Sequence, residues 1–468
     1  MLVVKPLPFV TAYIDVLNEA IEEHQPGQKL SRIQKRWLSF CIMAVLATNS
    51  VCWAKFERAS LGTYSLAALS WMFCQAKIPW HWLLVMSVRV ILGRYGITQG
   101  VLDIDDTDKG RSKLTSKIAY VHKLKDKKSG GYIQGQSIVF LVLVTPKITF
   151  PVGFAFYMPD PALTAWYRED NKLKKQGVPA RKRPPKPPKN PAYPTKVELA
   201  LKLLRQFKTD HPHIKIKTVN ADALYGSQAF MDEAANICDH TQVISQIRNN
   251  QKVIFREKEY SVEDYFSKRP GSPQKITIRG GQEITALVSS ARLYVCAHHK
   301  KRFVIALKYE GEEDYRYLIA TDLTWRTLDI VQAHTLRWLV EVFIEDWKSH
   351  EGWGQLTKQT GEEGSSRSLI LSLLTDHCLL LHPEQSARIE NNLPAYTVSS
   401  LTSQIQLDCL FEFIRDLLHQ DNPEEKLNLL THTLKENIAT LKVSKKHMVS
   451  RDLGRLEPTP ALKYKASA

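Results

Sequence analysis

From Gly100 onward the hydrophobic period of the chain changes from helical to strand-like, and the order of the elements that follow constrains the fold more than any other feature. VLDIDD (Val101–Asp106) reads as a short strand ending in carboxylates, YIQGQSIVFLVLV (Tyr132–Val144) as a long apolar strand, and FPVGFAFYM (Phe150–Met158) as a third. An amphipathic helix, KVELALKLLRQFK, comes next. The strand IKIKTVNAD follows it, then a helix opening near Ser227 and the strand QVISQIR. Three strands, then helix, strand, helix, strand predicts an α/β sheet.

That order is the one found in RNase H-like sheets, although several α/β folds share parts of it. Two segments interrupt it. Residues 172–196 hold nine Lys/Arg and seven Pro with no acid after Asp170, which predicts an extended basic loop, either a solvated linker or a phosphate-contacting arm. About Lys252 to Asp322, alternating apolar runs predict a β insertion. Residues 1 to about 96 read as helical, with Ser31 and Gln34 spaced as a capping box and Pro79 suited to a first helical turn running to about Gly93. A helix-turn-helix around AKIPW is a weak signal, because WHWLLVMSVRVIL is too apolar to read bases. After Gly354 the chain reads as helical again to about Leu441, followed by the basic tail KVSKKHMVSRDLGR. The expected organisation is an N-terminal helical, DNA-binding domain over 1–96, a catalytic core over 97–250 and 323–385, a β-strand insertion over 251–322, and C-terminal helices with a basic tail over 386–468.

The 468 residues exceed what one hydrophobic core covers, which fits two or three domains. A net charge of +16 and a pI near 9.3 favour a polyanionic partner, nucleic acid or an anionic membrane. Seven scattered cysteines, odd in number and without CxxC spacing, argue against a disulfide framework and a structural zinc site, and point to a reducing cytosol. The opening MLVVKPLPFVTAYIDVLNEA does not read as a signal peptide. Trp37–Ala54 is uncharged for eighteen residues, the shortest length that spans a bilayer, but its polar Ser39, Thr48, Asn49 and Ser50 favour a buried helix.

The densest acidic group is LDIDDTD, Leu102–Asp108. An EF-hand loop starting at Asp103 fails, because Asp108 stands where the turn glycine is needed and Leu114 where the bidentate Glu is needed. A haloacid-dehalogenase-like phosphatase motif, DxDxT, fits Asp103 as nucleophile, Asp105 as acid/base and Thr107. It also requires a later acidic pair, and the later strand end offers only Asp222. The third reading takes Asp105 as a metal ligand at the end of the central strand. Asp222, in NADALYG, would lie beside it in an RNase H-like sheet, and a divalent cation offsets the repulsion of two such carboxylates.

HTLRWLVEVFIEDWKSHEGWG, from His334 to Gly354, completes the constellation. On one helix His334, Arg337, Glu341, Glu345 and Lys348 share a stripe, while Leu336, Val340, Phe343 and Trp347 form an apolar one. A solvated face with i,i+4 pairs is the plain alternative. If this helix packs along the sheet, Glu341 reaches the two aspartates. Two Asp and one Glu can hold two Mg²⁺ ions about 4 Å apart, one activating a water or 3′-hydroxyl and the other stabilising the leaving oxygen of a phosphodiester. Arg337 and Lys348 would then face DNA phosphates.

DDT at 105–107, DALYG at 222–226 and HTLRWLVEVFIEDWK at 334–348 together resemble the catalytic segments of the DDE insertion-sequence transposases that carry the Y(2)R(3)E(6)K signature. His334, two residues, Arg337, three residues, Glu341, six residues, Lys348 reproduces its spacing, with histidine in place of tyrosine. The resemblance implies an α/β chain with an RNase H-like catalytic core interrupted by a β-rich insertion. It implies Mg²⁺-dependent endonuclease cleavage at transposon ends and strand transfer into target DNA, in a cut-and-paste DNA transposition. Asp105, Asp222 and Glu341 would be the catalytic metal ligands for two Mg²⁺ ions, with Mn²⁺ able to substitute. Arg337 and Lys348 would contact the DNA end, and His334 would take the tyrosine's phosphate-contacting position, donating most strongly when protonated. The partners implied are double-stranded DNA (terminal inverted repeats and target) and a second copy in a homodimer, with no membrane, in a bacterial, nucleoid-associated cytoplasmic setting. A base flipped during a hairpin step would stack on a Trp, for which Trp325 is a candidate by location, against a plainer reading as a core residue. The phosphatase and a DNA-binding descendant that no longer cuts are the alternatives.

Overall fold

A computed structural model of the chain describes residues 5–111, 116–126, 130–278, 281–355, 359–419 and 422–437. Five helices come first: α1 (Pro8–His24), α2 (Arg32–Thr48), α3 (Trp53–Ala59), α4 (Leu66–Cys74) and α5 (Trp80–Arg94). The capping box forms as its spacing predicts, Ser31 Oγ accepting from the Gln34 amide at 3.3 Å and Gln34 Oε1 from the Ser31 amide at 2.8 Å. Next come β1 (Gln99–Arg111), β2 (His122–Lys125), β3 (Tyr132–Val144), β4 (Thr149–Tyr157), α6 (Pro161–Lys175), α7 (Lys196–Asp210), β5 (Lys215–Ala221), α8 (Gln228–Ile237) and β6 (Gln242–Gln246). The region expected as an insertion holds β7 (Lys252–Phe255), β8 (Lys258–Ser261), α9 (Val262–Ser267), β9 (Ser272–Thr277), β10 (Glu283–Val295), β11 (Lys300–Tyr309) and β12 (Arg316–Ala320). Helices α10 (Thr327–Thr335), α11 (Trp338–His350), α12 (Gly361–Leu380), α13 (Pro383–Glu390), α14 (Val398–Leu418) and α15 (Pro423–Asn437) close the described chain. The basic tail after Leu441 lies outside the described residues. Those up to 415 form one compact unit and those from 416 a second, which holds the end of α14 and α15.

The strands make one mixed sheet. At one end β4 pairs with β3, β3 with β1, β1 with β5 and β5 with β6, the first two pairings antiparallel and the last two parallel. β3 shows why the order is stable. Its side chains alternate between two cores, Ile138, Phe140 and Val142 on one side and Val139, Leu141 and Leu143 on the other. All six are fully buried, at about 1.5–3 kcal/mol each. The first core is shared with α1, α2, α5, α11 and α12, so the N-terminal helices pack on the same face of the sheet as α11. The second is filled by α7 and α8.

Beyond β6 the sheet continues without a gap. β12 pairs antiparallel with β6, Ile319 opposite Ser245, and β11 and β10 follow. At this seam the Gln242 side chain accepts from Thr321 Oγ1 (2.9 Å) and the Asp322 amide (2.7 Å) and donates to the Asp322 carbonyl (3.1 Å). The chain leaves the sheet after β6 and returns at β12 to the neighbouring position.

The basic segment differs from its expected extended form. Lys172, Lys174 and Lys175 lie in the last turn of α6, which Asp160 starts by accepting the Ala162 amide at 2.9 Å. The proline-rich stretch beyond folds back on that helix: Arg183 pairs with Asp170 at 2.8 Å, and Trp166 Nε1 donates to the Pro184 carbonyl at 2.8 Å. Among the described residues no single helix is long and apolar enough to cross a membrane. α2 and α3 pass that test only as a pair, and the pair bends by 90°.

Candidate active site

The register of β1 on β5 creates the site. Their parallel pairing ends at Ile104 opposite Ala221, so Asp105 and Asp222 emerge side by side where β5 stops. Along β1, Leu102 and Ile104 point into the α7–α8 core, which turns Asp103, Asp105 and Thr107 toward α11. Gly226 closes the turn after Asp222: a Cβ there would sit 2.5 Å from the Gln246 carbonyl oxygen, which explains the glycine of DALYG. Asp222 Oδ1 accepts the Leu224 amide at 2.8 Å and its carbonyl accepts Ser245 Oγ at 2.7 Å, fixing the turn from both sides.

Helix α11 crosses the same strand ends. Val340, Phe343 and Trp347 are buried against the sheet, while Arg337, Glu341, Glu345 and Lys348 line a cleft of about 670 Å³ together with Asp105, Asp106, Thr107 and Asp222. Arg337 bridges the two elements, Nη1 donating to Asp105 Oδ2 at 3.0 Å and Nη2 to Glu341 Oε1 at 2.8 Å. Lys348 donates to Thr107 Oγ1 and, at 3.3 Å, to the Asp108 carbonyl. Asp105, Asp222 and Glu341 therefore face one cleft, and Arg337 and Lys348 stand over it.

One carboxylate at the cleft, the middle residue of DDT, has no role assigned to it by the sequence pattern. Asp106 joins Asp105 and Asp222, each offering an oxygen within 4.8 Å of the others, and Glu341 is not one of that group of three. Strand alternation places Asp105 and Asp106 on opposite faces, but with β5 ended both reach the gap beside Asp222. Asp106 Oδ2 also accepts from Lys196, the last residue of the basic segment. Partly buried oxygen donors of this kind fit a hard divalent cation such as Mg²⁺ or Mn²⁺. Burial pushes the Asp105 carboxyl up to about 6, opposed by Arg337 and the Asp106 amide and reinforced by the charges of Asp222 and Asp106. Asp222 is raised as well, first by burial.

His334 is placed elsewhere. The expected continuous helix is broken: Leu336, Arg337, Leu339 and Val340 each bond three residues back, a tightened turn that separates α10 from α11. His334 ends up on α10, 6% exposed, with neither ring nitrogen partnered among the described residues. Burial, then the charges of Arg337 and Arg316, lower its pKa to about 3, so the ring is neutral. It does not line the cleft. Trp325 is partly buried and packs against the core that holds Phe303, Ile330 and Val331. Asp103 is fully buried behind Asp105, its carboxyl pushed up to about 7 by burial, and it does not line the cleft either.

Residues 72–300 match a family described as DDE superfamily endonuclease, a stretch that carries Asp105, Asp106 and Asp222 and stops short of Glu341. The match supports a DDE-type nuclease. No curated protein matches the chain. The NurA nuclease from Sulfolobus solfataricus is similar over 51% of this chain and 72% of its own, at 10% identity and a TM-score of 0.19, a likeness too slight to build on.

Proposed function

We propose that this chain is a DNA transposase that cleaves transposon ends and joins them to target DNA by two-metal phosphoryl transfer, in a cut-and-paste reaction. The observation that carries the reading is the meeting of Asp105 and Asp222, at the ends of parallel neighbouring strands, with Glu341 across one cleft. The strand order β4-β3-β1-β5-β6, antiparallel and then parallel, supports an RNase H-like core, and the endonuclease family matched over residues 72–300 supports strand cleavage. Asp105, Asp222 and Glu341 would hold Mg²⁺ or Mn²⁺, with Asp106 as a fourth carboxylate at the same place. Divalent cations bound there would supply a nucleophilic oxygen at neutral pH and neutralise charge on the leaving oxygen. Lys348, fixed on Thr107 at the rim, is aimed to hold a phosphate, as Arg337 would once free of its carboxylates. One wall of the cleft is lined by α11 from Glu341 to Ser349, and the net charge of +16 suits DNA. By the same resemblance, a homodimer would pair the two inverted-repeat ends.

A phosphatase built on Asp103 loses ground to the fold, since a nucleophile must reach its substrate and Asp103 is fully enclosed. The deciding experiment is Mg²⁺-dependent nicking of DNA carrying the inverted repeats that flank the encoding element. Glu341→Gln is expected to keep DNA binding and abolish nicking, and Asp103→Asn to leave nicking largely intact. Full nicking by Glu341→Gln sinks the assignment.

A further inference from the structure

Both carboxyl oxygens of Asp105 already accept a hydrogen bond. Oδ1 accepts the Asp106 amide at 2.8 Å, and Oδ2 is taken by Arg337, whose other guanidinium nitrogen holds Glu341. The contact is enclosed, with the Arg337 side chain 16% exposed and that of Asp105 15%. Arg337 sits at the tightened turn between α10 and α11, and among the described residues the side-chain partners of its guanidinium are the carboxylates of Asp105 and Glu341.

We propose that Arg337 is a built-in stand-in for the divalent cation: its guanidinium bridges Asp105 and Glu341 until metal takes both carboxylates and drives it out toward bound DNA. The inference rests on the metal-site reading above and adds to it a competition between a side chain and the metal. The guanidinium on Asp105 Oδ2 and Glu341 Oε1 takes lone pairs that a metal would use and repels a divalent cation beside it, so the bridge and the metal compete. Once displaced, the arginine still lines the cleft, where a DNA phosphate would accept both of its donors. The site would therefore load metal poorly without DNA and well with it, because a phosphate that draws Arg337 away vacates the carboxylates.

The test is a Mn²⁺ titration of the full chain without DNA, following free Mn²⁺ by electron paramagnetic resonance. Arg337→Met removes the stand-in and is expected to bind Mn²⁺ at least about tenfold more tightly than the unaltered chain, the effect of removing one charge-assisted competitor. Arg337→Lys retains the charge but can hold only one carboxylate at a time, and is expected to fall between the two. It serves alone if the Met variant does not fold. Asp105→Asn is the control for place, and is expected to abolish binding in every background. Mn²⁺ affinity unchanged or weaker in the Arg337 variants, while Asp105→Asn still abolishes it, overturns the stand-in and leaves the metal site in place. No binding by any of the proteins, or binding indifferent to Asp105→Asn, overturns the metal reading and the stand-in with it.

Discussion

Trp347 is the residue whose removal should most clearly separate the seat of α11 from the chemistry it carries. It is fully buried, stacked on Trp353 at 4.7 Å between centroids and edge-on to Phe140 of β3 at 5.0 Å, with Phe343 at 6.1 Å. Its indole N–H donates to Ser372 Oγ at 2.8 Å. Truncating a buried Trp to Ala costs about 3–5 kcal/mol through reduced transfer energy and the residual cavity. The aromatic pairs place this site at the upper end, because each well-oriented ring pair contributes about 0.5–1.5 kcal/mol beyond its area. Removing the indole hydrogen bond adds little, since Ser372 still donates to the Glu351 carbonyl at 2.6 Å. Trp347→Ala is therefore expected to lose about 4–5 kcal/mol, while Trp347→Phe, which keeps a ring against Phe140 and Trp353, is expected to lose about 1–2 kcal/mol. Urea unfolding followed by far-UV circular dichroism measures both. Mn²⁺ affinity should fall with stability, because Glu341 shifts with α11 while Asp105 and Asp222 stay on the sheet. A loss below about 2 kcal/mol in the Ala variant, or equal losses in both, would refute the claim that this aromatic stack seats the helix.

Three further outcomes are expected. Burial raises the Asp376 carboxyl to about 7 and that of its neighbour Glu351 well above the ordinary range, so protons bind the folded state more tightly than the unfolded one. Their favourable contribution is complete below about pH 4 and is lost as pH rises through about 7, so Asp376→Asn should gain stability over the parent at pH 8 and little at pH 4, as read by urea midpoints. Gly226→Ala should cost about 1–3 kcal/mol and weaken Mn²⁺ binding, because its Cβ would meet the Gln246 carbonyl oxygen and push the Asp222 turn aside; thermal melts and the same titration read both effects. Replacing the exposed Arg181, Lys182 and Lys186 with Gln should lower the slope of log affinity against log salt for DNA by up to about 0.9 for each phosphate no longer neutralised, while an unchanged slope would show that the segment is only a linker.

Much of this architecture is readable in the sequence, and the particular residues show why. β1 and β5 announce themselves by alternating apolar residues, β3 by an unbroken apolar run, and Ser31 with Gln34 by a reciprocal bond, because these signals are local. Asp105 and Asp222 can be paired because a parallel register carries two strand ends to one point. Asp106 cannot, since alternation alone sends it to the face opposite Asp105 and only the end of β5 brings it back. His334 escapes the stripe expected of an unbroken helix: one tightened turn at Leu336 and Arg337 removes it without leaving a mark in the hydrophobic pattern. The guanidinium bridge of Arg337 is a tertiary contact across 232 positions, beyond the reach of spacing rules.

The seam where β12 rejoins β6 has a consequence for how such a chain is compared with others. With Thr321 and Asp322 bonded to the Gln242 side chain, residues 247 to 317 form a closed excursion whose two ends are fixed independently of its length. Entropy penalises a longer excursion only logarithmically, by about 0.6 kcal/mol per doubling. The number of positions between Asp222 and Glu341 is thus decoupled from their distance in space. Shared ancestry at this site is better sought in three short segments aligned independently than in one continuous alignment.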